Sequence, residues 1–394
     1  MLPGADFDYN TEAGARYDNG VVASLINFMQ KVWVESHLRV GTHTYDPDLN
    51  RSVYTPNFNH PFMQVYNRPN PWYDHNALWA ASILSLVVDG NSYWKKLRAR
   101  SGELVGLQYL PHFYVTPQND NDQKQVKTYY RYSPPNAAPV KLDLSEVVHL
   151  TWGFDPVTFG RRGLSPVRAV LREIVTDNEC TTYSAALLRN MGIPAVLISP
   201  RDVMADEMGT EKRERFKQMF KKLFTREGRG DPMVPSFPID VKELGMSPEK
   251  MALDKIAQAP VHRICSNVGI DPMVLGFPSP TKTYDNYTGA LEAAYRVTIK
   301  PLKMIWAHQL DAQLLDEDYG RGATECFFWD YSDVWVLQED KNKQYERLSR
   351  GYDSGWLKRR DCRAEAGLPY TDEDNVYKET PGESRGPALA SPNL

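Results

Sequence analysis

Apolar residues return every three or four positions along three long stretches of the chain, and these stretches predict three long helices. The first runs from Gly163 to Pro194. Ser165 stands where an N-cap belongs, Pro166 suits the first helical position, and Gly192 with Pro194 marks the stop. About 27 residues without a breaker would rise roughly 40 Å. Val167, Val170, Leu171 and Ile174 make an apolar stripe that Leu187 and Leu188 resume, but Thr176, Asp177, Asn178, Glu179, Thr181 and Thr182 make the middle polar on nearly every side. A helix at the centre of a monomeric core does not read this way. A helix that leans on copies of itself and meets water on one side does.

The second stretch opens at Ser247-Pro248 and ends at Gly269, with Pro260 inside it predicting a kink. The third runs from about Tyr287 to Asp316. Its stripe is Leu291, Tyr295, Ile299, Leu302, Trp306 and Leu310, and Pro301 predicts a second kink. Between the second and third helices lies Gly276 to Asp285, too rich in proline and glycine to be regular.

Shorter elements fill the remainder. Residues 1–20 read as an arm, and Val21 to Val40 as a helix passing into a strand. Tyr45 to Pro71 reads as loop-rich, and Tyr73 to Val88 as a helix stopped by Asp89-Gly90-Asn91. The turn Arg100-Ser101-Gly102-Glu103 between two β-rich arms predicts a hairpin. Strands are expected at Phe113 to Thr116, Lys127 to Tyr132 and Val147 to Thr151, with His149 half-buried in the last. Past the first long helix come a strand at Ala195 to Ser199, an amphipathic helix at Glu211 to Phe224 and a short strand within Asp231 to Leu244. Phe327 to Leu337 reads as strand, residues from Glu339 as helix, and the tail after Thr371 as disordered. The class is α+β.

Composition narrows the function. The net charge of −4 disfavours a protein that clamps nucleic acid, yet it suits a conduit along which phosphates slide. Cys180, Cys265, Cys326 and Cys362 lie too far apart for a zinc framework or a small disulfide scaffold and fit a reducing cytosol. No charged-then-apolar leader opens the chain, and the longest apolar run, Ala77 to Val88, is too short for a membrane span, so a soluble protein is expected.

The chain carries no GxxxxGK[ST], HExxH, GxSxG or GxGxxG motif. Asp316, Glu317 and Asp318 are of the residue type that binds divalent metal in nucleases, but consecutive helix residues point different ways, and a solvated helix end is the simpler expectation. A metal-dependent nucleic-acid-processing enzyme and a monomeric scaffold are the alternatives to weigh against an oligomeric conduit.

Taken in order, several short pieces resemble the portal proteins of tailed bacteriophages, specifically the HK97-type family. They are Asn70-Pro71, Asp89-Gly90-Asn91-Ser92-Tyr93, Leu110-Pro111, Val147-Val148-His149 and Gly163-Leu164-Ser165-Pro166. Further on come Asn190 to Pro194, Gly269-Ile270-Asp271-Pro272, Leu275-Gly276, Ile299-Lys300-Pro301-Leu302 and Arg363 to Pro369. Each is weak alone; their order and spacing from Val21 to Pro369 are specific.

The resemblance implies a portal fold with an α/β wing, a long helical stem, a small α/β clip, a tunnel loop and a short helical crown. By position, residues 1–164 would be wing with its arm, 165–192 and 246–270 stem helices, and 193–245 clip. Residues 271–286 would be tunnel loop, 287–340 the long helix and strand of wing and crown, and 341–394 crown and tail, shorter than an elaborate crown requires. It further implies a dodecameric ring at one capsid vertex of a virion, assembled in a bacterial host's cytoplasm. No catalysis, cofactor, metal or membrane is implied. Expected partners are double-stranded DNA without sequence preference, the terminase large subunit, the head–tail adaptor and the major capsid protein. The tunnel-loop positions are Gly276, Pro278, Pro280, Thr281, Lys282, Thr283 and Tyr284; Lys217, Lys221 and Lys222 are the expected terminase or adaptor contacts.

Overall fold

A computed structural model describes residues 19–46, 51–119, 127–189, 195–200, 214, 218, 239–244, 253–278, 283–322, 324–338, 341–366 and 368–378. The chain divides into two compact units, Met1–Tyr331 and Ser332–Leu394. In the first unit the helices are α1 (Gly20–Val34), α2 (Pro61–Asn67), α3 (His75–Val88), α4 (Leu171–Arg189) and α5 (Leu253–Val268). A sixth, α6, is continuous over residues 284–319: α-helical at Tyr284–Ala294 and Lys300–Leu310, π-helical at Tyr295–Ile299 and Asp311–Tyr319. The strands are β1 (His37–Asp46), β2 (Arg51–Pro56), β3 (Asn91–Arg98), β4 (Leu104–Leu110), β5 (Val115–Gln118), β6 (Tyr129–Tyr132), β7 (Val140–Asp143), β8 (Val147–Thr151), β9 (Ala195–Pro200), β10 (Ile239–Leu244) and β11 (Glu325–Asp330).

These strands form antiparallel sheets in the orders β11-β1-β2, β4-β3-β8, β5-β6-β7 and β10-β9. The β3–β4 hairpin turns where expected, with Gly102 in the left-handed region at φ 91°. The loop-rich stretch Tyr45 to Pro71 nevertheless holds β2 and α2. Pro61 starts α2, because a proline costs nothing where the helical N–H has no partner, and the ring of the preceding His60 accepts the Phe62 N–H. The expected strand at Phe113 begins later, since His112–Tyr114 form a 3₁₀ turn. The strand expected at Phe327 to Leu337 is the earlier Glu325–Asp330, and Trp335–Leu337 turn into 3₁₀ helix instead.

The element on which the first unit hangs is α6, the third stretch. It starts three residues before the expected Tyr287, capped by Thr283, whose hydroxyl accepts the Asn286 N–H at 3.3 Å. Pro301 sits immediately after the first π segment. Proline offers no N–H and its ring crowds the carbonyl four residues back. The wider π turn supplies slack beside it. Leu291, Tyr295, Ile299, Trp306 and Leu310 of the stripe are buried, and Leu314 and Leu315 extend it. Around it pack Trp33, Trp79, Trp94 and Trp329, with Trp33 and Trp306 ring centroids 5.0 Å apart.

The second unit holds α7 (Lys341–Asp353) and α8 (Arg359–Glu365), joined by Arg347–Glu365 at 2.8 Å and by the Cys362 thiol on the Leu348 carbonyl. Disorder does not set in directly after Thr371. Asp372–Asp374 form a 3₁₀ turn with a capping box, and Arg359 donates its backbone N–H to the Val376 carbonyl at 2.9 Å.

Candidate channel and docking elements

Two of the short motifs, 72 residues apart, meet in space and fix where the 3₁₀ turn leading into α4 begins. Gly90 has φ 81°, and a Cβ there would lie 2.5 Å from the Ser165 nitrogen. A Cβ on Gly163 would lie 2.2 Å from the Gly90 carbonyl oxygen, so both positions require glycine for the backbones to touch. Asn91 Oδ1 accepts the Gly163 N–H at 2.7 Å, and Arg162 pairs with Asp89 at 2.6 Å. Ser165 does not cap with its side chain as expected; its hydroxyl donates to the Val87 carbonyl at 2.8 Å, tying the helix start to the end of α3. Pro166–Val170 is then 3₁₀ and α4 follows. His149, in β8 beside this latch, is buried and not half-buried. Its ring stacks on Tyr93 at 4.5 Å and contacts Asn91 Oδ1 at 3.0 Å. Burial, then the charges of Lys127 and Arg162, holds its pKa well below the usual value, so it is neutral at pH 7.

The helices expected as stem are α4 and α5, which pack against each other. Val167, Val170 and Ile174 face Ile264, Cys265 and Val268 as buried residues, and Arg263 bridges to Glu173 at 3.2 Å. Beyond Ile174 the burial stops: no side chain from Val175 to Ala186 is buried. The side chains of Leu187 and Leu188 and the expected opening at Ser247-Pro248 lie outside the described residues. Pro260 is inside α5, which continues past it.

The α5 helix ends at Gly269, φ 80°, whose carbonyl accepts the Thr298 hydroxyl at 2.8 Å. Asp271 then accepts the Met273 N–H at 2.8 Å, and a tight turn buries Met273 and Val274 and leads to Gly276, φ 90°. Of the expected tunnel-loop residues, Gly276 and Pro278 are exposed, Thr283 is the α6 cap and Tyr284 is its first residue. Pro280, Thr281 and Lys282 lie outside the described residues, as do Lys217, Lys221 and Lys222. Of the expected clip, the β9–β10 pair is described, and Glu214 and Gln218 are helical and exposed.

Sequence reasoning missed the polar residues that α6 carries into the core. Lys303 is fully buried, its Nζ 4.3 Å from the Trp33 ring centre and 4.4 Å from that of Trp329. It donates to the Trp33 carbonyl at 3.1 Å and to Ser36. Burial, only partly opposed by Glu35, drives its pKa well below the usual lysine value. Asp318 is likewise no solvated helix end. It is 1% exposed and held by Lys96 at 2.7 Å and Arg98 at 2.5 Å, while Glu317 takes Lys96 at 2.8 Å. Among the described residues no His, Cys, Asp and Glu cluster could hold a metal ion.

A family model described as phage portal protein matches residues 40–367. The chain belongs to the phage portal protein family. An uncharacterised protein of Rickettsia bellii is 24% identical over 254 residues, 62% of this chain and 63% of that relative. The chain thus spans less than two thirds of the curated relative it matches. Among solved structures, the neck of an empty gene transfer agent particle computed with C6 symmetry is similar at TM-score 0.63 and 23% identity, covering 92% of this chain and 93% of that one. The neck of a native particle computed with C12 symmetry matches at TM-score 0.61 and 22% identity, covering 94% and 96%. An HK97-family portal protein from Corynebacterium diphtheriae matches at TM-score 0.58 and 12% identity, covering 82% and 96%. The α+β portal fold is therefore shared even where little sequence is.

Proposed function

We propose that copies of this portal-family chain close into a ring, dodecameric by likeness to the C12 neck, through which double-stranded DNA enters and leaves a capsid. The observation that carries this reading is the run from Val175 to Ala186, a helix with no buried side chain in the isolated chain. A stem helix of this kind gains its cover from neighbours related by rotation. The net charge of −4 fits a channel that does not grip phosphates, and contacts to DNA go to its backbone. The ring sits at one vertex of a virion after assembly in a bacterial cytoplasm, against the major capsid protein. The insert at 193–245 is the clip, whose Lys217, Lys221 and Lys222 seat the terminase large subunit and then the head–tail adaptor. Residues 271–286 are the tunnel loop. Averaged electron-microscope views of purified protein, alone and from cell extract, test the reading: closed rings with a central hole are expected, and a folded monomer under every condition overturns it. Changing the three lysines together to Glu leaves rings intact and lowers DNA packaging; normal packaging removes their docking role.

A further inference from the structure

The inner face of α6 is occupied by the core, but its Arg296, Lys300, Met304 and His308, spaced by four, line one wall of an open groove of about 680 Å³. That size falls within the roughly 300–1,000 Å³ of ligand pockets. The opposite wall is a ladder on the β11-β1-β2 sheet, His43 on Tyr54 at 4.8 Å and Tyr54 on Phe328 at 5.1 Å. Ala307 and Phe327 are buried beneath, and Met304 is 55% exposed. Lys300 lies 4.9 Å from the Tyr331 ring centre, and Arg296 is two-thirds exposed beside Glu292. The acid in the groove, Asp311, is 5% exposed; it accepts the Phe327 N–H and faces Arg321 at 3.6 Å. The groove thus presents cations at its rim and an apolar floor.

We propose that this groove docks an acidic peptide segment of a partner protein, carboxylates to Lys300 and Arg296 and one apolar anchor against Met304. Nucleic acid fits less well, because single strands bind by stacking bases on open ring faces. Here the Tyr54 ring is already engaged, stacked on Phe328 and tilted against His43. None of its lining residues lies in α4, α5 or residues 271–286, so the test does not depend on the ring reading.

Fluorescein-labelled decapeptides, each with four aspartates around a Leu, Phe or Ala anchor, are titrated against the full chain by anisotropy. A lysine version and a ten-nucleotide single-stranded DNA serve as comparisons. Leu or Phe acidic peptides should bind at least tenfold tighter than the Ala and lysine versions, and weaken with salt. Lys300→Glu and Met304→Asp, both at exposed positions, should each weaken binding about tenfold with unchanged circular dichroism. Equal binding of acidic and basic peptides, preference for the oligonucleotide, or indifference to both variants overturns the proposal. So does sedimentation showing that Met304→Asp abolishes self-association which the peptide does not compete, since a second copy would then be the occupant.

Discussion

The free edge of β8 should be the place where the first unit opens first if α6 loses a glutamine. Gln313 accepts the His149 N–H at 2.7 Å and donates to the His149 carbonyl at 3.0 Å. One helical turn earlier, Gln309 accepts the Thr151 N–H at 2.9 Å and donates to the Thr151 carbonyl at 3.3 Å. The two amides therefore stand in for a missing strand beside an edge that would otherwise offer bare backbone groups. Gln313→Leu keeps the bulk and leaves one N–H and one C=O without partners. Each unsatisfied buried group costs about 1–3 kcal/mol. Half-burial at Gln313 lets some water in, so about 2–4 kcal/mol is expected for the pair. At 1.4 kcal/mol per tenfold, opening of residues 147–151 should speed up by about thirtyfold or more. Hydrogen exchange followed by mass spectrometry on a peptide spanning β8 reads this directly. Gln313→Glu keeps the acceptor, loses the donor, and should fall between. A Gln313→Leu protein that is folded and exchanges β8 amides at the natural rate would refute the argument.

Three further outcomes follow from particular sites. Lys303 has a depressed pKa in the folded state, so the unfolded chain binds a proton that the folded chain does not. Stability should therefore rise with pH between the folded pKa and the ordinary lysine value, by up to about 1.4 kcal/mol per pH unit, and Lys303→Met should flatten that slope in urea titrations run as pH rises toward the ordinary lysine value; equal slopes would remove the depressed pKa. Gly269→Ala places a Cβ 2.6 Å from the Thr298 hydroxyl at φ 80° and should cost about 1–3 kcal/mol, seen as a lower Tm, with natural stability as the contrary result. Lys282→Glu in the proposed tunnel loop should give particles with shortened or leaking DNA, the defect shifting with salt because such a charge reaches about 8 Å at physiological ionic strength. Full-length, retained genomes at low and high salt would end that role.

The ends of elements were legible where backbone chemistry forces a residue type. Gly90, Gly102 and Gly269 all take positive φ, and each lies at a predicted stop or turn. The long helices were legible from their stripes. Their interior was not, because Lys303, Gln309, Gln313 and Asp318 belong to residue types that ordinarily face water, and periodicity places them outside. What brings them in is their partners: tryptophan faces, a strand edge and Lys96, all distant in sequence. The β2 strand was hidden by the prolines and asparagines around it, which mark turns more strongly than six residues mark a strand. The latch between Gly90 and Gly163 was present as two motifs, but nothing in one dimension says that they touch.

The π segments make the length of α6 as consequential as its composition. A π segment holds one residue more than an α-helix would need over the same span, and one residue corresponds to about 100° of rotation. Thr298 within Tyr295–Ile299 is aimed at Gly269, while Lys303, Gln309 and Gln313 beyond it are aimed at the tryptophans and β8. Removing one residue from 295–299 would let the segment relax to ordinary α geometry and swing everything downstream a quarter-turn or more out of phase. This stretch should therefore accept many exchanges of side chain and almost no change in residue count, so that an alignment gap there would mark a protein whose core is assembled differently.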